Sequence, residues 1–341
     1  MFDNFLHKYL TSRNIIFCII SILFLIFLTK ISEVAILFFA SFVIACSLDP
    51  VVEKLSKKFK RSTACVITVL GAILLVIAFF IPIIIIGGNE IISFADSFPA
   101  YIENIKNIVL APDFVLHGLI TRLDIGDMIS SASVFSSKLI TDILNVGINL
   151  GAAIIYLVAS ILIIYYFLVD RDIVRATILK LFPKQMRLRA GKIVQTIAER
   201  SGGYIVAQLV TMSSVGIVVT IGLLFLKSEY ALLLGLISAV LDIIPVIGPA
   251  IAFIICMIAV FKSGPVILFF TAVIFIVAQL VENNFVRPYV FGKFLNLHPL
   301  LIYMFIFIAA KYIGVIGVVF APAIAATVAV LIEELYMKSL E

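Results

Sequence analysis

A single aspartate interrupts a long apolar run in the stretch VLDIIPVIGPAIA. Asp242 is followed by Pro245, Gly248 and Pro249, which complete the pattern D-x-x-P-x-x-G-P. Because proline has no backbone N–H and glycine lets backbones approach closely, this pattern predicts a broken helix. A carboxylate beside broken backbone in apolar surroundings can bind a cation or relay a proton. The alternative is a structural carboxylate that caps the broken backbone or pairs with a nearby lysine.

The same order of features recurs near the C-terminus. Residues 299–310 are apolar, Lys311 follows, and Gly314 and Gly317 precede Pro322 and a second apolar half. The letters PAIA occur in both copies. Repeated broken helices are typical of secondary transporters, which bind their substrates between the breaks. Lys311 is expected to neutralise the aspartate of the first copy or, alternatively, to meet an anionic substrate.

Polar residues lie between the two copies. Gln279, Glu282 and Asn283 are three and four residues apart, so a helix places them on one face. Glu282 is a second candidate for cation binding, unless it is the water-exposed end of a helix. The amides of Gln279, Asn283 and Asn284 line a path or satisfy broken-helix backbone. Pro288 is expected to end this helix.

The composition requires a bilayer. The chain is 63% hydrophobic and 13% charged, whereas a soluble domain carries about 25% charged residues. No H-E-x-x-H, G-x-S-x-G or phosphate-loop motif is present, so we expect neither an enzyme nor a cofactor. The four cysteines have no metal-ligand spacing, and we expect no metal. The basic segments adjoin apolar spans, which favours lipid headgroups and not nucleic acid as their partner.

The predicted fold is an all-α polytopic membrane protein with about eight membrane-embedded helical segments. Its C-terminal third contains broken or re-entrant helices, and a small helical insertion lies outside. The predicted divisions are a membrane hairpin with a basic cytoplasmic loop (1–61), a span (62–89), an external amphipathic insertion (90–142), a second span (143–169), a basic cytoplasmic amphipathic segment (170–200) and a C-terminal transport region (201–341) with broken repeats at 231–261 and 299–333.

Charge sets the expected orientation. Segment 90–142 carries three basic and seven acidic residues, whereas 49–61 and 170–200 are rich in Lys and Arg. The positive-inside rule then predicts that both termini lie in the cytoplasm. Each broken repeat is either one kinked span or a re-entrant hairpin. Hairpins that enter from opposite faces fit the charges better.

These motifs, with Leu48-Asp49-Pro50, Gly292-Lys293 and His298-Pro299, occur in an order that resembles the autoinducer-2 exporter family of bacterial permeases. The resemblance covers most of the chain. It implies export of a small signalling molecule, sodium–proton antiport in some members, and assembly as a homo-oligomer. It does not fix the cargo of this chain.

We therefore predict a polytopic secondary transporter of the bacterial inner membrane that exports a small polar molecule, such as an autoinducer-2-like signal or a metabolite, coupled to an ion gradient. Asp242 is expected to bind the coupling cation, with Glu282 as a second candidate. A sodium–proton antiporter, a channel-like pore and a non-transporting membrane scaffold are the alternatives.

Overall fold

The computed structural model describes residues 32–85, 100, 103, 150–245, 247–295 and 297–335. The predicted first span at 14–29 and all but two residues of the external insertion lie outside these ranges. Within them the chain is helical, with turns between helices and no strand.

The helices are α1 (Ser32–Ser56), α2 (Arg61–Ile85), α3 (Leu150–Val169), α4 (Arg171–Lys180), α5 (Arg187–Phe225), α6 (Ala231–Leu241), α7 (Ile247–Ala259), α8 (Pro265–Val281), α9 (Arg287–Phe294), α10 (Pro299–Tyr312) and α11 (Val315–Leu335), with short 3-10 turns at Lys184–Met186 and Phe261–Ser263 and a π-turn at Glu282–Val286.

Five helical stretches of the described chain are long and apolar enough to cross a membrane: Val34–Ser56, Arg61–Ala78, Lys184–Phe225, Pro265–Gly292 and Val315–Glu334. A sixth is the bent pair formed by α3 and α4, whose axes meet at 78°. The shorter apolar helices α6, α7 and α10 cannot span about 30 Å by themselves. The prediction of an all-α polytopic membrane protein is confirmed.

The helix α5 is the scaffold on which the other helices pack. It has 39 residues, a length of about 58 Å, and it contacts α1, α6, α8, α9 and α11. Small residues allow the close contacts: a Cβ on Gly202 would overlap the Cys46 backbone of α1, and one on Gly235 of α6 would overlap Thr220. The boundary predicted between residues 200 and 201 falls inside this helix.

Charged residues gather at one end of the bundle, which we call the basic end. Arg171 at the start of α4 pairs with Asp49 (2.6 Å) and Glu53 (2.7 Å) of α1. Arg200 of α5 pairs with Glu333 near the end of α11 at 3.1 Å. The C-terminal ends of α1 and α11 therefore lie at the same end of the molecule as α4.

The predicted breaks are only partly where the prolines lie. At the first predicted break, α6 ends at Leu241 and α7 begins at Ile247. The second break is a turn at Ile313 and Gly314, and Gly314 has a positive φ of 82°, which favours glycine. Pro322, predicted to belong to this break, lies inside α11. That helix has 21 residues and is longer than the predicted half-helix.

The prediction that Pro288 ends a helix is wrong. The chain continues from α8 through the π-turn Glu282–Val286 into α9, which begins at Arg287. Pro288 has no N–H for an i−4 bond and needs room for its ring. A π-turn just before it widens the helix locally and meets both requirements.

Gly248 provides the first testable prediction. A Cβ at this position would overlap the carbonyl oxygen of Leu241, a backbone atom that cannot rotate away. Gly248→Ala should therefore displace the first break and lower stability by roughly 1–3 kcal/mol. The measurement is thermal unfolding of purified protein in one detergent.

The matched control is Gly71→Ala in α2, where an added Cβ would meet nothing within 4 Å. Alanine has the higher helix propensity, so this change should be neutral or stabilising by up to about 1 kcal/mol. Equal unfolding temperatures for Gly248→Ala and wild type would show that the tight approach at the first break is not required.

Candidate functional site

The site begins at the first break. The helix α6 ends at Leu241, and the Asp242 N–H donates to the Ser238 carbonyl at 3.1 Å, so Asp242 is the C-cap. Pro245 lies in the turn, and Gly248 and Pro249 lie in the first turn of α7, which begins at Ile247. Asp242 is thus held at the point where one helix stops and the next begins.

The two breaks lie against each other. Ile244 of the first break and Ile313 of the second pack on one buried cluster, formed by Ile306, Ala309, Val318 and Ala321 of α10 and α11. Residues about 70 positions apart in sequence therefore meet at one place. Gly317, another predicted hinge residue, lies in the first turn of α11 and packs on Ile313.

Asp242 is fully buried, and neither of its carboxylate oxygens has a hydrogen-bond partner within the described chain. Its side chain therefore caps no backbone group there. An ionised carboxylate without a partner is costly to bury, so the group must be neutralised by a proton or by a bound cation.

Gln208 of α5 adds a further acceptor beside this aspartate. Its Nε2 donates to the backbone carbonyl of Asp242 at 3.0 Å, which fixes the amide. Its Oε1 is buried and has no partner among the described residues. The first break thus contains three buried oxygens without donors: both carboxylate oxygens of Asp242 and the amide oxygen of Gln208.

Glu282 is buried, and the interpretation of this residue as a water-exposed helix end is wrong. Both Nε and Nη2 of Arg287 lie 2.5 Å from its Oε1, and Gln279 donates to its Oε2 at 3.1 Å. The structure therefore pairs Glu282 with an arginine. Glu282 and Arg287 also interact electrostatically with Asp242.

The neighbouring asparagines are more peripheral. Asn283 donates to the Gln279 side-chain oxygen at 3.5 Å, and Asn284 donates to the Leu280 carbonyl at 3.0 Å. Both side chains are exposed. Asn283 borders the cavity described below, which agrees with the predicted lining role. Asn284 instead bonds a backbone carbonyl near the π-turn, which agrees with the alternative role.

Lys311 does not pair with Asp242, and that prediction is wrong. Its side chain is exposed, and its Nζ lies 5.2 Å from the ring centre of Tyr312. A long lysine side chain near a helix end can direct its charge away from an apolar interior, which accounts for this placement.

A cavity of about 850 Å³, which we call the inner cavity, adjoins these residues. Its polar lining comes from Gln208, Gln279, Asn283, Arg287 and Tyr303, and Pro245, Pro249 and Pro322 contribute to its walls. An apolar cavity of this size with a few polar groups is suited to a small molecule. The helix-break residues thus shape a cavity, although Pro322 does not break a helix.

Three residues of the site were missed from the sequence: Gln208, Arg287 and Tyr204. Tyr204 is fully buried one turn before Gln208, and its hydroxyl donates to the Val319 carbonyl of α11. The α5 helix therefore binds both repeats through Tyr204 and Gln208. Gln208 could have been found from the sequence, because it is a polar residue within an uncharged span. Polar side chains at membrane depth usually face a partner or a cavity.

The described fold and site define a class: a polytopic α-helical membrane protein with broken helices around a buried carboxylate and a cavity. Comparison with known proteins supplies the family. The family described as AI-2E family transporter matches residues 15–337. The chain belongs to this transporter family, as its motifs indicated.

Several relatives agree with this assignment. YueF of Bacillus subtilis, named for a transport role and not for a cargo, is 26% identical over 293 residues, which cover 82% of this chain and 78% of YueF. A similarly named protein of Alkalihalophilus pseudofirmus is 26% identical over 91% of this chain and 85% of its own. A protein of Halobacillus andaensis named sodium-lithium/proton antiporter is 19% identical over 92% of this chain and 94% of its own.

Proposed function

We propose that this protein is a secondary transporter that exports a small polar molecule and is coupled to a gradient of monovalent cations through Asp242. The observation that carries the proposal is the burial of this carboxylate at a helix break without a partner in the described chain. Proteins retain such a group where binding requires it, because its burial costs stability.

Charge favours a single monovalent ion. Asp242, Glu282 and Arg287 together carry one net negative charge when all are ionised, which one Na⁺, Li⁺ or H⁺ neutralises. Carboxylate and amide oxygens are hard ligands suited to alkali cations. A divalent transition metal is disfavoured, since the described residues contain no group of three His, Cys, Asp or Glu side chains that could hold one.

The inner cavity supports transport of a second solute. Its volume of about 850 Å³ and its amide and guanidinium lining suit a small polar molecule. Arg287 is shared between this cavity and the Glu282 pair, which links the cavity to the charged site. We infer that cargo and cation bind side by side at the two breaks.

Sodium–proton antiport is the second candidate. In that case the three unsatisfied oxygens of Asp242 and Gln208 bind Na⁺ or Li⁺, and protons compete for the carboxylate. The name of the Halobacillus relative favours this candidate, as does the presence of all three acceptor oxygens in a single buried site. It requires no organic cargo.

The proposed topology has two re-entrant hairpins that enter from opposite faces. The α6–α7 hairpin starts after the C-terminal end of α5, whereas α11 returns to the basic end, where Glu333 meets Arg200. Their turns share one apolar cluster. With the basic end in the cytoplasm of a bacterial inner membrane, the C-terminus also lies there.

The proposed partners are the lipid bilayer, further copies of the chain in a homo-oligomer, and the cargo or ion, with no nucleic acid. The family assignment supports a transporter over a scaffold. A channel-like pore is less compatible with a fully buried, unpaired carboxylate, because a pore exposes its charged groups to water.

The test uses wild-type protein in liposomes with a pH-sensitive dye inside. Addition of Na⁺ or Li⁺ outside should produce proton efflux if the protein is an antiporter, with no organic solute present. Cargo coupling instead predicts saturable, cation-dependent export of a small polar solute. No ion-dependent flux of either kind, or flux that rises linearly without saturation, would contradict coupled transport.

A further inference from the structure

A second cavity, of about 770 Å³, lies at the basic end, and we call it the basic-end cavity. Residues of α1, α3, α4, α5 and α9 line it. Its charged lining comprises Asp49, Glu53, Arg171, Arg175, Glu199 and Arg200. Its wall also includes Val206 of α5 and Phe294 of α9, two helices that border the inner cavity as well.

The lining residues of the two cavities come close together on both of these helices. On α5 the basic-end cavity extends to Val206, and the inner cavity begins at Gln208. On α9 the corresponding residues are Phe294 and Phe291. With a rise of 1.5 Å and a rotation of about 100° per residue, Val206 and Gln208 face opposite sides of α5, whereas Phe291 and Phe294 lie one turn apart on the same side of α9. The two cavities are therefore divided at α9, where about 4.5 Å along the axis separates their lining residues.

Aromatic and aliphatic side chains form the barrier between the cavities. The rings of Tyr204 and Phe291 meet edge to face with centroids 6.1 Å apart, and Tyr204 packs in a buried cluster with Val43 and Leu295. Phe294 lies directly against the α5 backbone, since a Cβ on Gly203 would overlap its ring. The absence of a side chain at Gly203 is what makes room for this ring.

The helix that carries Phe291 and Phe294 is joined to α8 through an interrupted backbone hydrogen-bond ladder. It begins at Arg287, immediately after the π-turn Glu282–Val286, and Pro288 has no N–H to bond the preceding turn. The π-turn thus weakens the backbone ladder between α8 and α9. The Glu282–Arg287 pair spans the same joint. A change at the charged site would consequently be transmitted to α9.

We propose that the two cavities are consecutive parts of one transport path, and that Phe294, seated on Gly203, is the gate between them. The proposal rests on the proposed transport function and adds a moving element to it. The gate is closed in this structure. It opens when α9 pivots at the π-turn and withdraws the Phe294 ring from the α5 backbone.

A disulfide across the gate tests this movement. A Cβ on Gly203 would lie 2.7 Å from the Phe294 Cβ, so a small shift reaches the 3.5–4.5 Å typical of disulfides. The variant Gly203→Cys/Phe294→Cys is made in a background without the four native cysteines. Oxidation should reduce coupled transport at least about tenfold, and reduction should restore it. Stabilisation by Na⁺ in thermal unfolding should persist, because Asp242 is unchanged.

Each single-cysteine variant serves as the control and should not respond to the oxidant. Full transport by the verified disulfide form would overturn the gate. If wild-type protein shows no coupled transport at all, the proposed function fails, and the gate is judged by a measurement that needs no transport.

That measurement uses Ala250→Cys, a reporter on the wall of the inner cavity, in the same cysteine-free background. A membrane-impermeant thiol reagent is supplied only at the basic end of oriented vesicles. Phe294→Ala should raise the labelling rate at least about tenfold, because the ring no longer separates the cavities. An unchanged labelling rate would mean that the cavities are not connected through Phe294.

Discussion

Asp242→Asn should abolish cation-driven transport while leaving the protein folded. An asparagine keeps the size of the side chain but cannot neutralise a cation or carry an exchangeable proton, so we expect coupled flux to fall by about two orders of magnitude or more. Stabilisation of the wild type by Na⁺ or Li⁺ should also disappear, because a ligand stabilises a fold only if it binds. Liposome flux and thermal unfolding in a cation series measure the two effects.

The stability of this variant separates a binding role from a structural one. The Asp242 carboxylate is buried and makes no hydrogen bond in the described chain, so removing its charge should not lower stability in cation-free buffer and should raise it. A carboxylate that held the break together would give the opposite sign. Asp172→Asn on the exposed face of α4 is the matched control and should change neither flux nor cation response.

The first break was predictable because its causes are local. Pro245 and Pro249 remove donors, and Gly248 permits the contact with the Leu241 carbonyl, so three neighbouring residues determine the turn. Gly314 determines the second turn through its positive φ. The predicted helix breaks at Pro288 and Pro322 were wrong, because a proline does not always end a helix. At Pro288 the preceding π-turn makes room for the proline ring, so the helix continues.

The Glu282–Arg287 pair could not be read from spacing. In an α-helix, residues five apart differ by about 140° around the axis and do not face each other. The π-turn, with i→i+5 hydrogen bonds, brings them to the same side. The sequence predicted Glu282 as a candidate but not its partner. Tertiary contacts such as that of Gln208 with the Asp242 carbonyl were likewise beyond any local pattern.

Breaking the Glu282–Arg287 pair should have the largest effect on stability. Glu282→Gln should cost less than Arg287→Gln, because Arg287 is about one-quarter exposed and can then neutralise Asp242. Arg287→Gln leaves the fully buried Glu282 as an uncompensated charge and should cost about 3–5 kcal/mol. The double variant removes both charges and should recover at least half of that loss, as measured in a double-mutant cycle. Glu333→Gln is the control, since the Glu333 side chain is 44% exposed and its pair with Arg200 contributes about 1 kcal/mol or less.

The same three variants should also differ in cation binding, and the order of their Na⁺ responses should not follow the order of their stabilities. Glu282→Gln leaves Arg287 to neutralise Asp242, so the site loses its net negative charge and Na⁺ should no longer stabilise the protein. Arg287→Gln leaves two carboxylates and should retain or strengthen the response to Na⁺. The double variant restores one net negative charge, so its response to Na⁺ should return. A Na⁺ response that followed stability, absent in both single variants, would show that the pair acts on the fold and not on the ion.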